Sequence, residues 1–540
     1  MGEIELRAES WLTPVDRELK IRFKLVGLGG VLPKVALSES EITWVKLIDQ
    51  TKCIGCHACS VACKSENSVP IGVNRTYVKA VDVGVFPQVR RNFQVTRCNH
   101  CLNPPCVAIC PTGAMYQRSD GIVDFDKANC IGCKACMAAC PYDAIFINPD
   151  DHTAEKCNFC AHRIDVGLEP ACVSVCPTEA ILIGNLKNPT DKVSAIIHRE
   201  PVKVRRGEKS TRPKLFYKGA HEATLDPLAA SRPEGDVFMW SQMNQDPHLI
   251  NSGHDFGDHT NHSVEAKLAY DVSHSVPWGV RVSAYTWTKG IATGTTMGLG
   301  LAILANKIPS GSSGSVLLAP LVALFALAIT GLLLIADLKR PERFIFLFTK
   351  ARFESWLVKG GILLGLDGAL TLAWLLQGEL TSSAVLRGVI GGLLFVVSAM
   401  TATYTAFLFA QARARDLWQS PLRLPHLLVQ CLLVGFGVLA LVDGKVGEGF
   451  LLRTGAALVV LHLLLVLGET TMAHPTSHAK AAVWNMTRGK FRRPFWIGMA
   501  LTALGIFAPL GGVSLMVIAA IGILGYEHAY IQSGQSVPLA

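Results

Sequence analysis

Sixteen of the seventeen cysteines fall between Cys53 and Cys176, in four groups of four. Cys53, Cys56, Cys59 and Cys63 form the first group and Cys130, Cys133, Cys136 and Cys140 the third. Both keep the C-x2-C-x2-C-x3-C spacing that wraps a cubane iron–sulfur cluster. The second group (Cys98, Cys101, Cys106, Cys110) widens the middle gap, and the fourth (Cys157, Cys160, Cys172, Cys176) widens it further. Proline follows the last cysteine at Pro111, Pro141 and Pro177. Zinc held by C-x2-C pairs would leave the third and fourth cysteines and the recurring Cys-Pro without a purpose. Each group has its full four ligands, so four [4Fe–4S] clusters are expected and no [3Fe–4S] centre. Such clusters carry single electrons, and the chemistry expected is electron transfer.

In two-cluster ferredoxins the fourth cysteine of a run ligates the other cluster. Pairing the first group with the fourth, and the second with the third, then gives four ligand sets. One is Cys53, Cys56, Cys59 and Cys176, and its companion is Cys157, Cys160, Cys172 and Cys63. The inner two are Cys98, Cys101, Cys106 with Cys140, and Cys130, Cys133, Cys136 with Cys110.

Half of the chain is hydrophobic and only 17% is charged, with the apolar residues concentrated after about position 285. That imbalance reads as a polar part joined to a membrane part. The net charge of +9 lies in short loops between apolar runs, which suits a membrane protein better than a nucleic-acid binder. Residues 1–44 form an N-terminal extension in which Trp11 to Leu32 reads as a peripheral helix. Met1 to Lys34 has no apolar h-region and no twin arginine, so no signal peptide is expected. Residues 45–190 form an α+β ferredoxin-like module. Cys98 to Ala114 and Cys130 to Ile145 look like a duplicated half, with small strands expected at 122–125 and 145–147. Residues 191–280 read as a polar linker with a basic patch: Lys203, Arg205, Arg206, Lys209, Arg212 and Lys214. Its histidines (His248, His254, His259, His262, His274) lack metal-site spacing, so a linker packed over the module is expected.

Residues 281–540 read as an all-α bundle of eight transmembrane helices, near 285–305, 316–336, 356–376, 386–410, 424–442, 450–471, 494–508 and 511–530. A tight hairpin is expected at Pro509 to Gly512. Gly290, Gly294 and Gly298 in the first span permit close helix packing. Cys431 reads as a small buried hydrophobe. With eight spans, thirteen basic residues lie on the module side: Lys339, Arg340, Arg343, Lys350, Arg352, Arg413, Arg415, Arg423, Lys480, Arg488, Lys490, Arg492 and Arg493. The other side has Lys307, Arg387, Lys445 and Arg453. The positive-inside rule then puts the iron–sulfur module on the cytoplasmic side of a prokaryotic inner membrane, the periplasmic side being the alternative.

The motifs Cys53-Ile-Gly-Cys-His-Ala-Cys59, Arg97-Cys-Asn-His-Cys101, Pro105-Cys-Val-Ala-Ile-Cys-Pro-Thr112, Cys130 to Ala144, Lys156-Cys-Asn-Phe-Cys160 and Pro170 to Thr178 resemble the four-cluster subunit of the polysulfide and DMSO reductase type. Ala336-Asp-Leu-Lys-Arg-Pro-Glu-Arg-Phe344, Phe353-Glu-Ser-Trp-Leu357 and Ser533-Gly-Gln535 are similar to the NrfD-type membrane subunit of the same complexes. Those are usually separate chains, and here they are fused. The resemblance implies the same cluster pairing, quinone or quinol exchange at the membrane part, and a catalytic partner that commonly carries molybdopterin.

Quinone reduction takes up protons, and ionisable residues inside spans are functional candidates by default. Asp337, His426, Glu469 and Tyr404, all towards the module side, are the quinone-site candidates. Asp367 and His462, nearer mid-span, are candidates for a proton path. A di-haem anchor would need paired in-span histidines, and only His462 lies deep in a span. The expected function is an electron-transfer and membrane-anchor subunit of a respiratory oxidoreductase. A proton-translocating module and a purely structural anchor are the alternatives.

Overall fold

The computed structural model describes residues 41–231, 266–304, 314–380, 384–442 and 448–540. The helix expected at 11–32 and the linker histidines His248, His254, His259 and His262 lie outside the described residues. The iron–sulfur part opens with β1 (Trp44–Asp49), α1 (Ala58–Glu66), β2 (Thr76–Val83) and β3 (Arg90–Arg97). The helix α2 (Pro105–Ile109) precedes the hairpin β4 (Met115–Gln117) and β5 (Val123–Phe125). The pattern repeats as α3 (Ala135–Ala139), β6 (Ile145–Ile147) and β7 (Ala154–Lys156), the duplicated half expected from sequence. Next come α4 (Ala161–Ile164), α5 (Ala171–Ser174), β8 (Ile181–Asn185), α6 (Lys192–Arg199), β9 (Val202–Lys203), β10 (Leu215–Lys218), α7 (Glu222–Leu225) and β11 (Ala266–Tyr270).

The stretch expected to be a polar linker is in part sheet. β10 pairs in parallel with β1, and β9 with β10, giving the strand order β8-β1-β10-β9. β11 pairs with β2 in a second sheet, β11-β2-β3. Within the basic patch Arg205, Arg206 and Lys214 are buried and Lys209 is partly so, while Lys203 and Arg212 stay exposed. Arg205 donates to the carbonyl of Leu539, and Arg206 and Lys209 both reach Asp416, so these cations join the module to the bundle.

The bundle contains α8 (Val280–Leu304), α9 (Ala319–Asp337), α10 (Phe346–Thr349), α11 (Trp356–Leu380), α12 (Ala384–Gln411), α13 (Arg423–Val442), α14 (Glu448–Thr471), α15 (Ser477–Thr487), α16 (Arg492–Leu504), α17 (Ala508–Gly511) and α18 (Val513–Ser536). Among the described residues seven segments are long and apolar enough to cross a membrane: Gly314–Asp337, Trp356–Gln377, Val385–Gln411, Arg423–Val442, Gly449–Thr471, Arg492–Gly511 and Val513–Ser536. The eighth expected span is α8, which has the length but carries Thr, Gly, Ser and Lys289. It packs against α9, α12, α13 and α18. A helix covered by other helices need not be apolar, which is why it falls short on hydropathy. Its glycines pack as expected: a Cβ on Gly294 would overlap the backbone of Cys431 and approach that of Gly435 on α13. The turn between α17 and α18 passes through Gly512 at φ +78°, a left-handed position suited to glycine.

Candidate functional site

The C-x2-C loops turn through left-handed backbone at Gly55, His57, Gly132 and Lys134, each just ahead of a short helix. That curl aims amides at sulfur, as with Gly132 N–H to Cys130 Sγ at 3.4 Å and His100 N–H to Cys98 Sγ at 3.4 Å. Amides from neighbouring segments add to them: Ala154 N–H to Cys130 Sγ at 3.3 Å, Met115 N–H to Cys110 Sγ at 3.3 Å and Ala180 N–H to Cys176 Sγ at 3.2 Å. Bonds to the sulfurs stabilise thiolate over thiol.

Cys53, Cys56, Cys59 and Cys176 line one pocket, and Cys110, Cys130, Cys133 and Cys136 another. Cys63 lies with Cys157, Cys172 and Cys160, and Cys106 with Cys140, Cys98 and Cys101. Each of these neighbourhoods holds three cysteines of one group and the fourth cysteine of another. The sets also follow one another. Cys59 neighbours Cys172, Cys98 neighbours Cys157, and Cys136 neighbours Cys106.

Burial, with mutual repulsion added, pushes several thiols up, Cys59 to about 11, Cys63 to about 12 and Cys133 to about 12. Cys157 departs from this pattern, because Lys46 and Arg97 outweigh its burial and lower it. Sulfurs crowded this way ionise together only around a cationic core. A single tetrahedral zinc would hold sulfurs about 3.8 Å apart, from its Zn–S bond of about 2.3 Å. Among the described residues no three His, Cys, Asp or Glu side chains form a group placed to hold a single metal ion. Four-thiol sets lined with amides suit a group larger than a single ion, as a cubane cluster is.

The last set opens onto a cavity of about 250 Å³ between module and bundle. Cys133, Trp278, Tyr285, Asp337, Phe344 and Tyr404 share its wall with aliphatic side chains such as Leu334 and Ile335. Trp278 donates from Nε1 to the carbonyl of Cys133 at 3.2 Å. Asp337 ion-pairs with Lys134 at 2.9 Å, and Lys134 is the residue that follows Cys133. Behind Tyr404, buried Lys289 lies 4.6 Å from the ring and donates to Ala402 O at 2.9 Å and Thr405 Oγ1 at 2.5 Å.

The sequence candidates divide. Asp337 and Tyr404 line the cavity. His426 and Glu469 belong to a separate buried knot, with His426 bonded to Glu469 at 3.0 Å and to His462 at 2.9 Å, and Tyr526 donating to Glu469 at 2.5 Å. Asp367 accepts from Ser398 Oγ at 2.5 Å, and Thr296 donates to Ser398 at 2.8 Å. His274 is buried between Asp143 at 2.6 Å and Asp271 at 3.1 Å, away from any metal-site grouping among the described residues.

Two family models match the two parts of the chain. Residues 89–186 match the model of a 4Fe-4S dicluster domain, and residues 270–521 match that of the polysulphide reductase NrfD. A tetrathionate reductase subunit of Salmonella typhimurium is 45% identical over 193 residues, which is 34% of this chain and 76% of that protein. The thiosulfate reductase electron transfer subunit PhsB of Salmonella typhi is 49% identical over 131 residues, 24% of this chain and 68% of its own. Protein NrfC of Escherichia coli is 39% identical over 193 residues, 35% of this chain and 86% of its own. The chain belongs to this family of reductase iron–sulfur subunits. An NrfD-type membrane domain is fused to it, and the fusion is an electron-transfer and membrane-anchor protein.

The NrfD signature turns out to be the clamp that holds the two parts together. Lys339 N–H and Arg340 N–H bond the carbonyls of Gly132 and Ile131 at 3.2 and 3.3 Å. Arg343 donates to Cys130 O at 3.0 Å and to Lys127 O at 2.8 Å, and Ser355 to Ile109 O at 2.7 Å. A side chain at Gly132 would collide with Lys339. The closing Gln535 accepts from Trp278 N–H at 3.1 Å and so steadies the cavity wall.

Sequence reasoning missed Lys289 and Glu527, although the rule that singled out Asp367 finds both: each is a charge inside an apolar segment. Glu527 pairs with buried Arg423 at 2.8 Å. Lys134 and Trp278 carried no such signal, because only docking brings them to the cavity.

Proposed function

We propose that this chain carries electrons between a catalytic partner, of the molybdopterin class, and a quinone or quinol seated in the cavity at the module–bundle junction. The sixteen cysteines, in the four sets given above, would hold four [4Fe–4S] clusters, which when bound supply one-electron transfer. The observation that carries the reading is that one wall holds both Cys133, a cluster ligand, and two groups able to exchange protons, Asp337 and Tyr404.

The residues divide the work. Asp337 stands where it can take or give a proton, and Lys134 holds its carboxylate in place. Tyr404 lines the same wall, with Lys289 behind its ring. Aliphatic walls keep water out, and partly exposed Phe344 and Phe348 leave a mouth towards the bilayer for an isoprenoid tail. The volume of about 250 Å³ suits a ring head group, just under the usual range of about 300–1,000 Å³ for small-molecule pockets. At the far end of the series Cys56 is exposed, which suits exchange with a partner.

We place α8 across the membrane as an eighth span, in a prokaryotic inner membrane. The count of basic residues puts the module on the cytoplasmic side, although Arg340, Arg343, Lys350 and Arg352 also bind the module and so serve docking. A second reading, proton translocation, has its own support in the bonded groups His426, His462, Glu469 and Tyr526, none of which lines the cavity. Quinol-dependent reduction of the purified complex, compared with its Asp337→Asn and Asp367→Asn variants, tests both. Loss of turnover in the first supports the quinone site. Retained turnover with lost proton release in the second supports translocation.

A further inference from the structure

Arg97 ends β3 directly ahead of Cys98 and is only 1% exposed. Its Nη1 donates to Cys172 Sγ at 2.9 Å, while Nε and Nη2 are buried without a protein acceptor. The guanidinium lies among sulfurs of two sets, Cys59 of the first and Cys172 and Cys157 of the second. A buried cation ordinarily sits against a carboxylate, because desolvation is otherwise uncompensated. Here its anionic neighbours are cysteines.

The arrangement differs at the membrane end. Lys134 beside Cys133 is matched by Asp337, and Arg343 by backbone carbonyls. At the outer end the charge of Arg97 has no such match, and two donors remain free. A [4Fe–4S] cluster with four thiolates is a net anion whose sulfurs accept hydrogen bonds, and both nearby charge and such bonds raise its reduction potential. We infer that Arg97 is a bridge between the two outer cluster sites, holding the clusters of Cys53/Cys56/Cys59/Cys176 and Cys63/Cys157/Cys160/Cys172 at raised potential as a pair. An electron passing between them leaves one cluster oxidised and the other reduced, with no proton moved, so a single cation shared by both favours the reduced form of either. The inference rests on the reading of the cysteine sets as cluster sites.

The test is an EPR-monitored redox titration of the full iron-loaded chain in detergent, with Arg97→Gln and Arg97→Lys. Arg97→Gln is expected to lower two of four midpoints and leave the two membrane-side ones unmoved. Arg97→Lys, which keeps charge but loses the fork of donors, is expected to lower the same two by less. Four midpoints unmoved in Arg97→Gln, or all four lowered alike, overturn the inference. Should Arg97→Gln fail to retain iron, Arg97→Lys decides: a fall confined to two clusters supports the bridge, and unmoved or uniformly lowered midpoints refute it. Wild-type chain holding well below about sixteen irons, four per cluster, sinks the cluster reading itself, a result distinct from the others.

Discussion

Raising the pH should loosen the segment that connects module and bundle. His274 is buried, with Asp143 on Nδ1 at 2.6 Å, Asp271 on Nε2 at 3.1 Å and the ring of Tyr77 edge-on at 5.9 Å. Burial alone would lower its pKa, but the two carboxylates outweigh that and push it up to about 9. A rise from 6.5 to about 9 corresponds to about 3 kcal/mol in favour of the closed, protonated state. Because the folded value is the higher one, this stabilisation is complete below about pH 6.5 and is lost as pH rises through about 9. In the opening equilibrium of the segment around residues 272–275 that is roughly a hundredfold. Native-state hydrogen exchange at pH 6 and pH 10, with the intrinsic pH dependence divided out, measures it directly. Protection should fall about a hundredfold in the wild type, and His274→Gln should open at pH 6 at least as readily as the wild type does at pH 10. Equal protection at both pH values, or His274→Gln matching the wild type at pH 6, would refute the clasp.

Asp337→Asn should slow quinol-dependent electron transfer by roughly 10²-fold, within the range for general acid–base catalysis, with iron content unchanged; Tyr404→Phe should slow it less. Arg423→Gln should strand Glu527 and lower stability by roughly 3–5 kcal/mol, seen as lost folded yield in detergent, with Glu527→Gln restoring part of it. Gly294→Ala should abolish folded expression because its Cβ overlaps Cys431, whereas Gly365→Ala, with nothing within 4 Å, should be silent. A cysteine in place of Ile71, which is 97% exposed on the module, should react with an impermeant maleimide in inverted vesicles and not in right-side-out ones; the reverse would put the module in the periplasm.

The cysteine groups were legible because their spacing is local: in three of the four the first three cysteines lie on one short loop and helix, and only Cys172 stands apart, on α5. The seven apolar spans were legible for a related reason, since contact with lipid keeps each apolar along its length. α8 shows the limit of that signal, being sheltered by four neighbours and free to hold Thr and Lys289. β9 and β10, two and four residues long, carry too little alternation to read, and β10 exists because β1 is beside it. The cavity was hidden for the same reason. Trp278, Lys134 and Asp337 come from three distant segments, and only the clamp at Lys339 to Arg343 brings them together. The grouping of His426 and Glu469 with Asp337 was drawn from depth along the helices, which says nothing of the direction a side chain faces.

That the cavity ends the electron path is tested most directly by the EPR spectrum of the reduced, iron-loaded chain with and without a bound quinone analogue. One cluster signal of the four should change shape or midpoint, the same one that Cys133→Ser alters, and Asp337→Asn should weaken the response. An analogue that binds while every cluster signal stays the same would contradict it, because the cavity would then not be the end of the electron path.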